Sequence, residues 1–170
     1  MTSRDAEFEA FDRQYRQRLR RAAFLVCNDW TQAEDIVQEA LTKLFVAWWR
    51  ISAEQGAFGY ASKIVTNAAV DASRRPWRRE LAVGDGLTNL VGQSLEVDPT
   101  ERLMLRAALI ELPLRQRQVI VLRFYLQLSV VETAHQLGLS TGAVKSHCSR
   151  ALARLNDLLT RNPVRSDEGR

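Results

Sequence analysis

The chain has 170 residues, 46% of them apolar, with 24 Lys and Arg against 20 Asp and Glu for a net charge of +4. That length leaves room for one or two small domains with a core each. Cys27 and Cys148 stand too far apart for a clustered zinc site or a disulfide scaffold, which makes both candidates for buried thiols. No run of 18 apolar residues occurs and the N-terminus, MTSRDAEFEAFDRQYRQ, is charged, so a membrane span and a secretory signal are excluded and a cytoplasmic protein is expected.

In chain order, Phe8, Phe11 and Tyr15 open an amphipathic helix that Leu19, Ala22, Ala23 and Val26 continue and that Asn28 and Asp29 break. Thr31 and Glu34 have the spacing of a capping box. The helix they begin repeats Val37, Leu41, Leu44, Phe45 and Trp48 as one apolar stripe, while Asp35, Gln38, Glu39 and Lys43 form a polar face that by itself reads as solvated surface. A third helix, near Gly56 to Arg75, starts with Phe58 and Tyr60 and runs through Ile64, Asn67, Ala68 and Asp71 into RRPWRR. Cations interleaved with aromatics suit single-stranded nucleic acid, where bases stack and phosphates need charge. A core aromatic pair followed by a basic helix end that favours the macrodipole explains the same residues equally well.

The stretch LAVGDGLTNLVGQSLEVDP holds four glycines or prolines and no sustained helical period, so it reads as a linker, expected to be flexible, over 81–97. Asp98 and Pro99 then mark a strong helix start, with Asp98 as cap and Pro99 at the first helical position. Leu103, Leu105, Ala107, Leu109 and Ile110 follow, up to Pro113. A further helix, roughly Leu114 to Leu126, places Val119, Leu122 and Leu126 on one face.

Residues 129–155, SVVETAHQLGLSTGAVKSHCSRALARL, predict a helix, a tight turn and a second helix. Ser129 with Glu132 forms a capping box, Gly138 suits the left-handed residue that closes a helix, and Ser140 can cap the next one. Ala134, Gly138 and Val144 have the spacing of a helix-turn-helix. Val144, Cys148, Ala151, Leu152 and Leu155 give the second helix an apolar stripe, and its opposite face is polar and basic. Generic Lys and Arg on such a face would be ordinary solvated charge. Here the turn spacing, both caps and the one-sided charge agree on DNA binding. Lys145, Ser146 and His147 lie in the first turns, where a recognition helix reaches base edges. Arg150 and Arg154 lie further along, towards phosphates, as do Ser140 and Thr141 beside the free amides of the helix N-terminus. The charge distribution agrees: residues 1–80 carry 13 bases and 11 acids, 81–100 three acids and no base, and 101–170 carry 11 bases and 6 acids.

The order AEDIVQEALTKLF, FGYASKIVTNAAVDASRR, a linker, then ELPLRQRQVIVLRFYLQLSVVETAHQLGLSTGAVKSHCSRAL resembles an extracytoplasmic-function sigma factor of the bacterial sigma-70 family, from about Phe8 to Leu159. The resemblance implies an all-α protein with a sigma-2-like bundle (1–80), a linker (81–97), a sigma-4-like helix-turn-helix domain (98–160) and a disordered tail (161–170). It implies that Asp35, Gln38 and Glu39 dock on the clamp helices of core RNA polymerase, with the flap a second contact. Phe58 to Asn67 would capture the minus-10 promoter element, Asn67 touching an unstacked base, and Lys63, Arg74 and Arg75 would hold nearby phosphates. Lys145, Ser146, His147 and Arg150 would read the minus-35 element, backed on phosphates by Arg117 and Arg123. The acidic linker would run through the polymerase RNA exit path. The family has an anti-sigma protein as a further class of partner.

Three departures bear on specificity. Ala61 and Ser62 stand where many relatives have stacking aromatics, His147 where they often have arginine, and Cys148 where an aliphatic residue is usual. The string VKSHCSRAL also resembles the LuxR-type helix-turn-helix, but such a regulator usually carries an upstream α/β domain, against which the helical pattern of 8–75 argues. An enzyme acting on nucleic acid would need a glycine-rich phosphate loop, clustered metal ligands or a nucleophile with its base, and the sequence offers none of these. No catalytic residue, metal or cofactor is therefore expected.

Overall fold

A computed structural model describes residues 3–51, 56–75 and 98–161. The expected linker at 81–97, the end of RRPWRR from Pro76 onward and the expected tail beyond Arg161 lie outside the described residues. Within them the elements are α1 (Ser3–Cys27), α2 (Trp30–Ala47), α3 (Ala57–Ser73), α4 (Pro99–Ile110), α5 (Leu114–Ile120), a π-helical turn (Val121–Tyr125), α6 (Val130–Leu137) and α7 (Thr141–Arg161). The all-α class expected from the periodicities is the one found.

Helices α1, α2 and α3 pack on one another. Leu19, Ala22, Ala23 and Val26 of α1 share a core with Val37, Leu41 and Leu44 of α2, and α3 adds Ala57, Ala61, Val65 and Ala69. Small side chains on α3 let its axis come close to its neighbours, since interaxial distance follows the residues at the contact. Phe8 and Phe11 close one end against Trp48 with ring centroids at 5.3 and 5.5 Å, edge to face, as ring quadrupoles prefer.

The α1–α2 connection differs from the sequence expectation. Asn28 adopts a left-handed φ of 58°, which a short polar side chain tolerates. Asp29, not Thr31, then caps α2 by accepting the Gln32 amide at 3.0 Å. Because the helix already begins at Trp30, Thr31 lies inside its first turn. Glu34 turns instead to Arg20 of α1, at 2.8 Å.

In the C-terminal half Asp98 caps α4 with Pro99 in its first turn, as the sequence predicts. Ala108 and Leu109 are the residues α4 buries, against Leu112, Ile120, Ala151 and Leu155, and Leu103 and Leu105 stay half-exposed. The expected stripe of Val119, Leu122 and Leu126 is divided. Val119 packs with Ala134 and Val144 in the helix-turn-helix core, while Leu122 and Leu126, with Val121 and Leu128, enter the core of α1–α3. The cause is the π turn: the Leu126 amide donates to the Val121 carbonyl five residues back, at 2.9 Å, which breaks the 3.6-residue period between the two sets. One apolar seam therefore joins the two halves.

Candidate nucleic-acid interface

The helix-turn-helix is built as its residues dictate. The Ser129 hydroxyl accepts the Glu132 amide at 3.0 Å while the Glu132 carboxylate accepts the Ser129 amide at 2.6 Å. Those bonds to the ionised form hold the Glu132 carboxyl below its ordinary range. Gly138 closes α6 with φ of 63°, and the Ser140 hydroxyl accepts the Ala143 amide at the head of α7. Val119, Ala134 and Val144 fix the angle between α6 and α7 from inside.

On α7, Thr141, Lys145, Arg150 and Arg154 are exposed, as is Ser140 just before it, and Ser146 and His147 are half-buried. Ala151 and Leu155 face the core, but Leu152, assigned to the same stripe by its spacing, is 46% exposed. Lys145, Arg150 and Arg154 thus lie on the outward side of a capped helix, an arrangement able to enter a major groove. The His147 Nδ1 is enclosed with no hydrogen-bond partner.

Arg117 and Arg123 do not stand behind this face as the resemblance implies. Arg117 is 7% exposed. Its guanidinium donates to the carbonyls of Val26 at 2.7 Å, Ile110 at 2.5 Å and Leu112 at 3.2 Å. It closes the C-terminal ends of α1 and α4 together, where a cation is favoured by exposed carbonyls, and burial lowers its pKa. Arg123 leaves the π turn to donate to the Leu128 carbonyl and lies beside Cys148. Both are spent on backbone carbonyls, a use that neither periodicity nor charge pattern reveals.

The α3 residues are arranged differently. Lys63, Arg74 and Arg75 are exposed, whereas Asn67 is half-buried. Its Oδ1 accepts the Gln118 amide of α5 at 2.8 Å. Ala61 and Ser62 are fully buried, and the Ser62 hydroxyl and the Gly59 carbonyl accept the Gln136 amide of α6 at 2.9 and 3.1 Å. Phe58 packs its ring on Tyr15, 4.9 Å between centroids, under the Arg18 guanidinium. Phe58, half-buried against the core, therefore follows the core reading of the aromatic pair, and Tyr60 is the more exposed of the two, at 37%.

On α2, Asp35, Gln38 and Glu39 are exposed on one face. Gln38 donates to Glu34 at 3.3 Å and Glu39 pairs with Lys43 at 2.6 Å. The same face continues into Val46, 65% exposed, and the turn that follows brings Trp49, 70% exposed and covered on one side by the Arg50 guanidinium. Sequence reasoning missed this apolar end. Its signal was present: 35, 38, 42, 46 and 49 recur at helical spacing, and the last two are apolar where a solvated face would be polar.

Both cysteines are half-buried rather than fully buried. Burial pushes the Cys27 thiol up to about 11 and raises that of Cys148, so neither has the character of a reactive thiolate. Among the described residues no group of three or more His, Cys, Asp or Glu could hold a metal, and no helix is long and apolar enough to cross a membrane.

Two family models match the chain: Sigma-70 region 2 over residues 11–79 and Sigma-70 region 4 over residues 102–155. RNA polymerase sigma-E factor of Streptomyces coelicolor is 35% identical over 90% of this chain and 86% of its own length. ECF RNA polymerase sigma factor SigM of Mycobacterium tuberculosis is 28% identical, covering 89% and 76%. Among solved structures, CnrH in complex with the cytosolic domain of CnrY superposes with a TM-score of 0.67 at 26% identity, over 92% of this chain and 89% of that one. The sigma factor RpoE in complex with the anti-sigma factor NepR from Bartonella quintana gives 0.71 at 22% identity, over 92% and 98%, a likeness of fold.

Proposed function

The chain belongs to the sigma-70 family, as an extracytoplasmic-function RNA polymerase sigma factor, and from this we propose how its residues divide the work of promoter-specific initiation. Residues 1–80 form the unit that docks on core polymerase and takes the minus-10 element, and 98–160 the unit that reads the minus-35 element. The LuxR-type reading is left without support, since family models match both halves.

The observation that carries the assignment is the outward face of α7, with Lys145 and Arg150 exposed on a doubly capped helix-turn-helix. Lys145, Ser146, His147 and Arg150 enter the major groove, and Ser140, Thr141 and Arg154 meet phosphates. Asp35, Gln38 and Glu39 meet the polymerase clamp helices, with Val46 and Trp49 giving that contact an apolar anchor of the kind that dominates interface energetics. Lys63, Arg74 and Arg75 hold phosphates around Asn67, which takes an unstacked base of the minus-10 strand. The bases are read by binding and no bond in the substrate is broken by the chain itself, so it acts as an initiation factor and not as an enzyme. It works in the cytoplasm, where polymerase and promoter are. An anti-sigma protein, the type of partner seen with RpoE from Bartonella quintana, would silence it by covering either unit.

The test is transcription from genomic DNA by core bacterial RNA polymerase with and without the protein, with start sites mapped. Initiation at discrete sites that core enzyme alone ignores is expected, and the sequences upstream of those sites give both promoter elements. Tight duplex binding by the protein alone with no affinity for core enzyme would overturn the reading.

A further inference from the structure

Four charged side chains of both signs line one cavity without pairing with each other. The cavity, about 580 Å³, opens where α1, α3 and α4 end and takes its walls from both halves of the chain. Asp29 and Glu111 bring the carboxylates, Arg75 and Arg117 the guanidiniums. Among the described residues none of the four belongs to an ion pair. Asp29 uses one oxygen to cap α2, and Glu111 and Arg75 stand exposed. Arg117 gives its terminal nitrogens to carbonyls, but its Nε is enclosed with no partner, as is the Oε1 of Gln32 on the same lining. A donor and an acceptor are thus left over at the wall, where enclosed polar groups are ordinarily matched. Ala72, Ile110 and Leu114 supply an apolar side.

We propose that this cavity binds a zwitterion with an apolar body, an amino acid or a short peptide. Its ammonium end is met by the Asp29 and Glu111 carboxylates and its carboxylate end by Arg75, with the charge of Arg117 adding to the attraction. Its apolar side chain rests on Ala72, Ile110 and Leu114. The lining selects this class by its charges. A simple anion would face two carboxylates and a simple cation two guanidiniums, and like charges brought together at an interface are unfavourable. A wholly apolar ligand would take water from the polar groups without replacing its hydrogen bonds. A molecule that carries both charges a few bonds apart answers both signs, through charge-assisted hydrogen bonds roughly twice as strong as neutral ones. The volume falls within the range of small-molecule sites, about 300–1,000 Å³, which pair an apolar lining with a few polar groups that fix orientation. Asp29 and Arg75 come from one half and Glu111 and Arg117 from the other. A molecule bound to both therefore raises the stability of the whole chain by mass action.

The probe is the dipeptide leucyl-leucine, titrated to about 10 mM against the full chain, with binding followed by amide chemical shifts and by the melting temperature. Two blocked forms accompany it: N-acetyl-leucyl-leucine, which lacks the ammonium, and leucyl-leucinamide, which lacks the carboxylate. Saturable binding of the dipeptide is expected, with the shifts gathered on Asn28, Ala72 and Ile110, and each blocked form should bind about tenfold more weakly. The variant Asp29→Asn, Glu111→Gln removes both carboxylates. Asparagine caps a helix as well as aspartate does, and neither residue is among the assigned DNA or polymerase contacts. This variant should bind the dipeptide about tenfold more weakly than wild type and the N-acetyl form equally well. No saturable binding of the dipeptide, or equal binding of all three forms to wild type, would overturn the site. A second variant stands if the first does not fold: Ile110→Trp fills the cavity from its half-exposed rim and should abolish binding, and unchanged affinity would place the dipeptide elsewhere. The promoter assignments do not enter, so either result leaves the sigma-factor reading intact.

Discussion

On α7, Lys145, Arg150 and Arg154 stand in solvent, whereas on α3 the residue assigned to a base, Asn67, is half-buried and already accepts a hydrogen bond from Gln118. The contrast follows from how each helix is supported. α7 rests one face on a core of its own half, Ala108, Leu109, Leu112 and Ile120, and leaves the opposite face free. α3 has α1 and α2 on one side and meets α5 and α6 on another. A reading residue on a helix supported from one side is available as folded, and one on a helix between two layers is available after a rearrangement. On the proposed assignment, duplex recognition and strand capture would therefore have different costs in this chain.

The largest test of that contrast is Arg117, whose guanidinium serves carbonyls at the ends of both α1 and α4. Arg117→Ala leaves those carbonyls without their donor and a void in the seam. A loss of about 3 kcal/mol is expected, or roughly 6–12 °C in the melting temperature of a chain of this size, read by circular dichroism. A change below about 2 °C would mean that the halves are not held there, and would return Arg117 to the phosphate role implied by the resemblance.

Next comes the available side. Lys145→Ala with Arg150→Ala should weaken binding to minus-35 duplex by about 30-fold, near 2 kcal/mol, and flatten its salt dependence, with polymerase affinity unchanged. Equal promoter selectivity in this variant would remove α7 from the readout. Smaller again is the α2 face. Asp35→Lys with Glu39→Lys should reduce affinity for core polymerase about tenfold, most at low salt, and Trp49→Ala should reduce it by a similar factor at any salt. Unchanged affinity in both variants would place the docking surface elsewhere.

Much of the helix-turn-helix was legible in the sequence because its signals are local. Ser129, Glu132, Gly138 and Ser140 each act within three residues of their own position, and all four do in the structure what their spacing predicts. The α1–α2 junction was less legible, since Asp29 and Thr31 are both good caps two residues apart and the left-handed Asn28 decides between them. The seam was invisible. Leu122 and Leu126 were read with Val119 as one stripe, and a π turn, which has no composition of its own, assigns them to the other half. The fates of Arg117, Arg123 and Asn67 depend on that seam. A charge count treats a buried arginine on three carbonyls and an exposed arginine on a phosphate alike.

The smallest expected effect tests whether α6 is held by its own first turn. The Glu132 carboxylate is held below its ordinary pKa by the Ser129 amide and hydroxyl. A group whose folded pKa is depressed gives stability that is complete above its unfolded value, about 4.3 for glutamate, and is lost as pH falls through the lower folded value. Ser129→Ala should cost about 1 kcal/mol at neutral pH. Glu132→Gln should cost a similar or smaller amount, and its deficit against wild type should shrink as pH falls through the lowered folded value, where the wild-type carboxylate becomes protonated too. Because the two side chains bond to each other's amides, the double variant should lose less than the sum of the singles. Additive losses with no narrowing in acid would mean that the cap contributes little, and that α6 is held by its contact with α3 through Gln136 rather than by its own first turn.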